Sequence, residues 1–314
     1  MTSEHLLDAP RRRRAYWHAA LTLVVLTAVL CLARRHWPVL ETGAVRLTVA
    51  DRGWLLAAAL ATLATWPCSA LAQQGAVPCR LSPGRLVAGQ FAGSAANHVL
   101  PVGLGAGTVN LRFLMRCGIP IADAATAVVV KGTAGALVRG ALLAVLFAAC
   151  PGILHVPQIG GGFLLASCAL AAGAIVLVTG PLRVWCRRAL MAVRTYVGAL
   201  HARPARAAAL WGGSLAFVTL HCAVLIAVTR AVALPLPPAR VALLYLAAST
   251  AAALLPTPGG LGSLDAVLVF ALTTAGAPAT GAASAVLGYR LLTVWLPLAP
   301  GLVVLGILVR RGAL

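Results

Sequence analysis

Pro256-Thr257-Pro258-Gly259-Gly260-Leu261-Gly262-Ser263-Leu264-Asp265 sets two prolines, three glycines and a carboxylate inside an otherwise apolar C-terminal third. Proline removes an amide donor and glycine loosens the backbone, so no continuous helix is expected to run through it. In lipid, broken backbone survives only where protein or a water-filled cavity covers it, and broken helices at membrane depth commonly build transporter sites. The competing reading is a plain loop between two ordinary spans.

The surrounding composition settles which solvent the chain meets. Hydrophobic residues make up 61% and charged residues 10% of 314 positions, too apolar for a water-soluble globule. The expectation is an all-α polytopic membrane protein, one integral membrane domain over 1–314. Lys and Arg outnumber Asp and Glu 25 to 6, but the arginines cluster between apolar runs, where they set membrane orientation, so nucleic acid is not an expected partner. Lys131 is the one lysine.

Apolar runs long enough to cross a bilayer lie at about 15–33, 54–72, 121–150, 159–180, 207–230 and 282–309. The first follows Arg11–Arg14 and is too long for a cleaved signal, so a retained anchor after a basic cytoplasmic segment 1–14 is expected. Two further pairs of runs behave differently: 86–100 and 103–117 flank Pro101, and 241–255 and 261–275 flank the Pro256–Gly260 break. Each arm rises roughly 22 Å as a helix, short of a hydrocarbon core of about 30 Å. Each pair is therefore drawn as a re-entrant hairpin, with breaks at Pro101, Gly103 and Gly105 and at Pro256, Pro258, Gly259, Gly260 and Gly262.

The two hairpins share an order of residues. Ser94 to Pro101 aligns with Ser249 to Pro256, and the same offset pairs Gly105 with Gly260 and Gly107 with Gly262. After a shift of three, Gly118-Ile119-Pro120 matches Gly276-Ala277-Pro278, and Ala124–Val128 matches Ala282–Val286. This predicts a repeat, its copies at about 86–150 and 241–309. With hairpins and a cytoplasmic N-terminus, Arg80, Arg85, Arg112, Arg116, the six-arginine segment from Arg183 to Arg206, and Arg310-Arg311 all fall inside. If each hairpin were one broken span, that six-arginine segment would be exported. The stretch 34–52 departs from the rule, since it would lie outside while carrying four arginines. Three spans separate the hairpins, so they enter from opposite faces as an inverted repeat, with both termini in the cytoplasm.

Asn97-His98-Val99-Leu100-Pro101-Val102-Gly103-Leu104-Gly105, then Asn110-Leu111-Arg112-Phe113-Leu114 and Arg116-Cys117-Gly118, and later Pro256 to Asp265, resemble the lysylphosphatidylglycerol synthase transmembrane-region family. The resemblance runs from about Trp54 to Arg310 and implies the flippase half of those synthase-flippases, without their soluble aminoacyl-transferase domain. Two departures stand out: Thr108-Val109-Asn110 replaces an acidic residue common after the first glycines, and Asp265 stands where Glu is usual.

The residues themselves agree with lipid handling. Half-helices ending near mid-membrane aim amides at one point, which suits a phosphate, and an arginine adds bidentate bonds. Arg112 is the first candidate for that role; the alternative for Arg112 and Arg116 is snorkelling to cytoplasmic headgroups. Asp265 on the exit helix is costly unless paired. It could pair with Arg290 or Lys131, relay a proton, or simply stabilise the hairpin. Lys131 and Arg290 hold near-equivalent places in long apolar helices, and Arg139 lies two turns below Lys131 on the same face. Asn97 beside the first break could bond either freed backbone or a headgroup, while His98 and His221 read as satisfied interior histidines.

Other chemistry finds no support. The eight cysteines are scattered without metal spacing, and no H-E-x-x-H, G-x-S-x-G or P-loop is present, so no metal or cofactor is expected. The expected function is translocation of a phospholipid or related amphiphile with a phosphate-bearing headgroup across a bacterial inner membrane. The alternatives are a membrane enzyme acting on a lipid-linked phosphate or sugar, and a non-transporting subunit that partners an envelope enzyme. A homo-oligomer is compatible with each.

Overall fold

A computed structural model describes residues 45–99, 104–149, 194–254 and 263–310, together with Glu41 and Met191. The expected spans at 15–33 and 159–180 and the basic N-terminal segment lie outside the described residues. So do Pro101, Gly103, Pro256, Pro258, Gly259, Gly260 and Gly262 at the two expected breaks.

Helices account for the fold, and no strand occurs among the described residues. They are α1 (Arg52–Ala76), α2 (Pro83–Val99), α3 (Leu104–Arg116), α4 (Ile121–Ala149), α5 (Pro204–Ala231), α6 (Pro238–Leu254), α7 (Ser263–Thr274), α8 (Ala279–Arg290) and α9 (Leu296–Arg310), the last two joined by a π-helical turn at Leu291–Trp295. Among them, α1, α4, α5 and the continuous α8–α9 rod are long and apolar enough to cross a membrane, matching the runs expected at 54–72, 121–150, 207–230 and 282–309. By contrast, α2, α3, α6 and α7 have 17, 13, 17 and 12 residues. At about 1.5 Å per residue none reaches 30 Å.

The helix ends have local causes. The Asp51 carboxylate accepts from the Trp54 amide at 3.0 Å and caps α1, while Pro83, Pro204 and Pro238 open α2, α5 and α6 where a missing amide costs nothing. Gly118 and Gly276 stop α3 and α7 in the left-handed region, at φ +85° and +99°. Around them the bonds are the same: the Ile119 amide to the Leu114 carbonyl at 3.2 Å and the Ala277 amide to the Leu272 carbonyl at 3.0 Å. The aligned Gly118-Ile119-Pro120 and Gly276-Ala277-Pro278 are thus two copies of one helix stop.

α1 and α5 run antiparallel through the middle. The Asp51 amide donates to the Ala231 carbonyl at 3.0 Å at one end, and the Tyr196 hydroxyl donates to the Ala76 carbonyl at 2.8 Å at the other. At their crossing a Cβ on Gly75 would strike the backbone of Leu210 and Arg206, and one on Gly213 would strike that of Ala72, at 2.6 Å, and Cys68. The contact is self-complementary, because Gly75 and Gly213, Ala72 and Leu210, and Cys68 and Arg206 are each 138 residues apart. α2 and α3 are likewise antiparallel: Gly89 lies under Phe113, Gly93 under Ala106 and Asn110, and Gly105 against the Ala96 carbonyl. α6 and α7 also pack on each other. The long helix that follows each pair packs on the first arm of the other, α4 on α6 and α9 on α2.

Two cores result. One joins α1, α2, α3 and the first half of α4 around Leu86, Phe113 and Leu114. The other joins the end of α5 to α6, α7 and α8 around Leu225, Leu246, Leu268 and Leu272. Large apolar side chains also face outward, among them Leu56, Leu60 and Leu63 on α1 and Val145 and Phe147 on α4. Such surface belongs against acyl chains.

Candidate functional site

A cavity of about 490 Å³ opens between the two cores, bounded by α1 to α5 and the π turn. Its floor is a polar network that begins at Lys131, four residues from the centre of the 29-residue α4. The Lys131 ammonium donates to Gln90 Oε1 at 2.7 Å and to Ser69 Oγ at 3.1 Å. Ser69 in turn donates to Gln90 Oε1 at 2.9 Å. Gln90 Nε2 then donates to Asn110 Oδ1 at 3.2 Å, and Asn110 Nδ2 donates to the Ala106 carbonyl at 2.9 Å. Every donor runs away from Lys131. Three helices besides α4 therefore spend their amide and hydroxyl acceptors on one ammonium, directly or through Gln90, and no carboxylate among the described residues joins them.

The cavity lining also includes Arg139, two turns along α4, and His221 on α5. Arg139 Nε is buried without a hydrogen-bond partner among the described residues. His221 Nδ1 bonds the Phe217 carbonyl at 2.9 Å; a carbonyl only accepts, so Nδ1 carries the proton and Nε2 is the lone-pair nitrogen in the neutral ring. The Thr62, Thr65 and Thr293 hydroxyls lining the cavity donate to backbone carbonyls of their own segments, leaving their oxygens as acceptors. On the α2 side, Trp66 stacks on Phe91 with ring centroids 4.0 Å apart, stiffening the wall.

The sequence candidates distribute over three places. Lys131 and Asn97 line the cavity, as does Arg139. Asp265 and Arg290 form an ion pair between α7 and α8, with Arg290 8% exposed and the Asp265 side chain 32% exposed. Of the two partners open to Asp265, the fold supplies Arg290. The pair does not line the cavity, but the π turn that follows Arg290 carries Thr293 into it, and such turns recur at functional positions. Arg112 is exposed on α3 and is not among the cavity residues. Gly105 is buried against α2, where it permits the close approach already described. His221 is satisfied, as expected, whereas His98 Nδ1 is buried without a partner among the described residues.

Ser69, Gln90 and Asn110 escaped the sequence reading as a group. Their signal was weak: single uncharged polar residues in apolar helices, joined only by folding. The two-copy alignment does relate them to the other half, since it sets Gln90 opposite Tyr245, Asn110 opposite Asp265 and Lys131 opposite Tyr289. There the Tyr289 hydroxyl donates to Tyr245 at 3.0 Å in a sealed core. The same two positions thus bond in both halves, once beside the cavity and once buried in apolar packing.

No curated protein matches the chain. The model of the family described as lysylphosphatidylglycerol synthase TM region matches residues 17–301, nearly all of the chain and every helix through α8, and the protein belongs to that family.

Proposed function

We propose that the protein moves a phospholipid or related amphiphile across the bacterial inner membrane, the headgroup passing through the Lys131 cavity while the acyl chains stay in the bilayer. The observation that carries this reading is Lys131 itself. An ammonium near the middle of a membrane helix costs about 2.5–3.5 kcal/mol on insertion scales, and here it sits against an open cavity and two uncharged acceptors instead of a carboxylate. Asn97 lines the path, and Arg112, exposed on α3, receives the headgroup at the cytoplasmic surface. The Asp265–Arg290 pair holds α7 to α8 beside the π turn.

The arrangement behind this reading is six spans and two re-entrant hairpins in an inverted repeat, both termini cytoplasmic. Its support is the self-complementary α1–α5 crossing, the identical stops at Gly118 and Gly276, and the reciprocal packing of α4 on α6 and α9 on α2. In this reading the chain acts as a transporter and not as a transferase.

The test is lipid movement in vesicles reconstituted with purified protein, followed by chemical quenching of an acyl-labelled phospholipid. Lys131→Gln should slow movement by about tenfold, the loss of one charge-assisted contact, while the protein still inserts and unfolds cooperatively. Movement at the parental rate in the variant, or none in the parent, removes this reading.

A further inference from the structure

We infer that the cavity takes up its lipid together with one proton, carried on Lys131, an inference that rests on the translocation reading and states how that site is regulated. Out of water, an ammonium is held by an opposite charge or gives up its proton. Among the residues lining the cavity that can carry charge, α4 itself brings Arg139 and α5 brings His221. α1, α2, α3 and the π turn bring uncharged side chains, among them the Ser69, Gln90 and Asn110 of the network. α6 also packs on α4 but lines no part of the cavity, and its Tyr245 is bonded to Tyr289. Any charge that the described wall adds beside Lys131 is therefore positive.

The network accommodates the amine with and without its proton. As an ammonium, Lys131 has three donors. Gln90 Oε1 takes one at 2.7 Å and Ser69 Oγ another at 3.1 Å, and the third has no acceptor among the described residues. On release, one Nζ–H bond breaks with its electron pair left on nitrogen, and the proton passes to bulk water admitted by the cavity. The new lone pair needs a donor. Ser69 supplies it, because its hydroxyl turns from Gln90 Oε1, 2.9 Å away, to Nζ by rotation about a single bond. Gln90 stays fixed through its own bond to Asn110.

A phospholipid phosphate changes the balance, since its negative charge beside Nζ supplies what the wall lacks. Arg139 Nε, buried without a partner among the described residues, adds a second donor. The proton therefore stays while the lipid is bound. When the headgroup leaves, the ammonium faces neutral acceptors again, and loss of the proton removes the stranded charge. Linkage makes the effect reciprocal: a proton on Lys131 favours bound phosphate by the same factor as phosphate favours the proton.

The experiment adds short-chain phosphatidylglycerol, whose phosphodiester keeps its charge throughout, to the full-length detergent-solubilised protein at a series of pH values. It reads affinity and, in weak buffer with an indicator dye, proton uptake. Affinity should weaken as pH rises, by up to about tenfold per pH unit for a single linked proton, with uptake approaching one proton per bound lipid at the high end. Lys131→Arg keeps its proton at every such pH, so it should bind with one affinity across the series and take up none; Lys131→Gln should take up none either. Absence of binding, affinity independent of pH in the parent, or uptake persisting in both variants overturns the proton assignment, and translocation still stands if the labelled lipid moves in reconstituted vesicles. Linked uptake without movement in vesicles keeps the proton assignment and removes translocation. Sulfate, which has no acyl chains and does not titrate in this range, is the control: uptake equal to that with the lipid assigns the cavity to a free anion and overturns the lipid as the linked ligand.

Discussion

Asp265 and Asn110 hold matched positions in the two halves, and the one-atom difference between a carboxylate oxygen and an amide nitrogen sends their surroundings different ways. The carboxylate calls for a cation and has Arg290 against it; the amide accepts from Gln90 and leaves Lys131 to the cavity. Asp265→Asn should therefore act mainly on stability. Fully buried pairs lose about 3–5 kcal/mol when one partner is removed, and the 32% exposure of the Asp265 side chain reduces the expected loss to roughly 2 kcal/mol. The double variant Asp265→Asn with Arg290→Gln should melt closer to the parent than the two single losses combined, since neither charge is then left facing a neutral partner. Strictly additive melting shifts would show that the two side chains do not interact.

Among the helices, glycine spacing does what apolar patterning cannot. Without a hydrophobic drive between helices in lipid, association relies on close backbone approach at small residues. Gly213 and Gly75 allow this where α1 crosses α5, and each would drive a Cβ into backbone, which cannot swing aside. Gly213→Ala and Gly75→Ala should each cost about 1–3 kcal/mol by overpacking. Gly140→Ala on α4, where an added Cβ meets nothing within 4 Å, should be neutral or slightly stabilising through helix propensity. Heat stability in detergent reads all three, and equal behaviour of Gly213→Ala and Gly140→Ala would refute a tight crossing.

For the whole molecule, antiparallel α1 and α5 pin which ends share a face. The start of α1 meets the end of α5 through Asp51 and Ala231, and the end of α1 meets Tyr196 near the arginine-rich segment. Combined with the charge rule, the expectation is that exposed Cys79 lies inside and Pro235 outside. A variant retaining Cys79 as its one cysteine should be labelled from the cytoplasmic side only, and a cysteine-free variant with Pro235→Cys from the outside only. Labelling of both from one side sinks the inverted arrangement. The two halves are also unlike in state: the first has a cavity beside Lys131 and Gln90, and the second has the Tyr245–Tyr289 bond inside a closed core.

Membrane class, family membership, the four described long helices and the shortness of α2, α3, α6 and α7 were legible in the sequence by itself. Each follows from local quantities: apolar length against bilayer thickness, proline and glycine at breaks and stops, and a motif order spanning the chain. The matched Gly118 and Gly276 stops were legible for the same reason, because a left-handed cap is written in two or three adjacent residues. Only the tertiary structure decided which polar residues meet. Ser69, Gln90, Asn110 and Lys131 come from four helices, Asp265 took Arg290 over Lys131, and Arg112 stands outside the cavity. The physical reason is that a lone polar residue in an apolar helix states a need for a partner without naming it. Which helix face answers depends on the crossing of α1 with α5 and on the glycines that let the helices close.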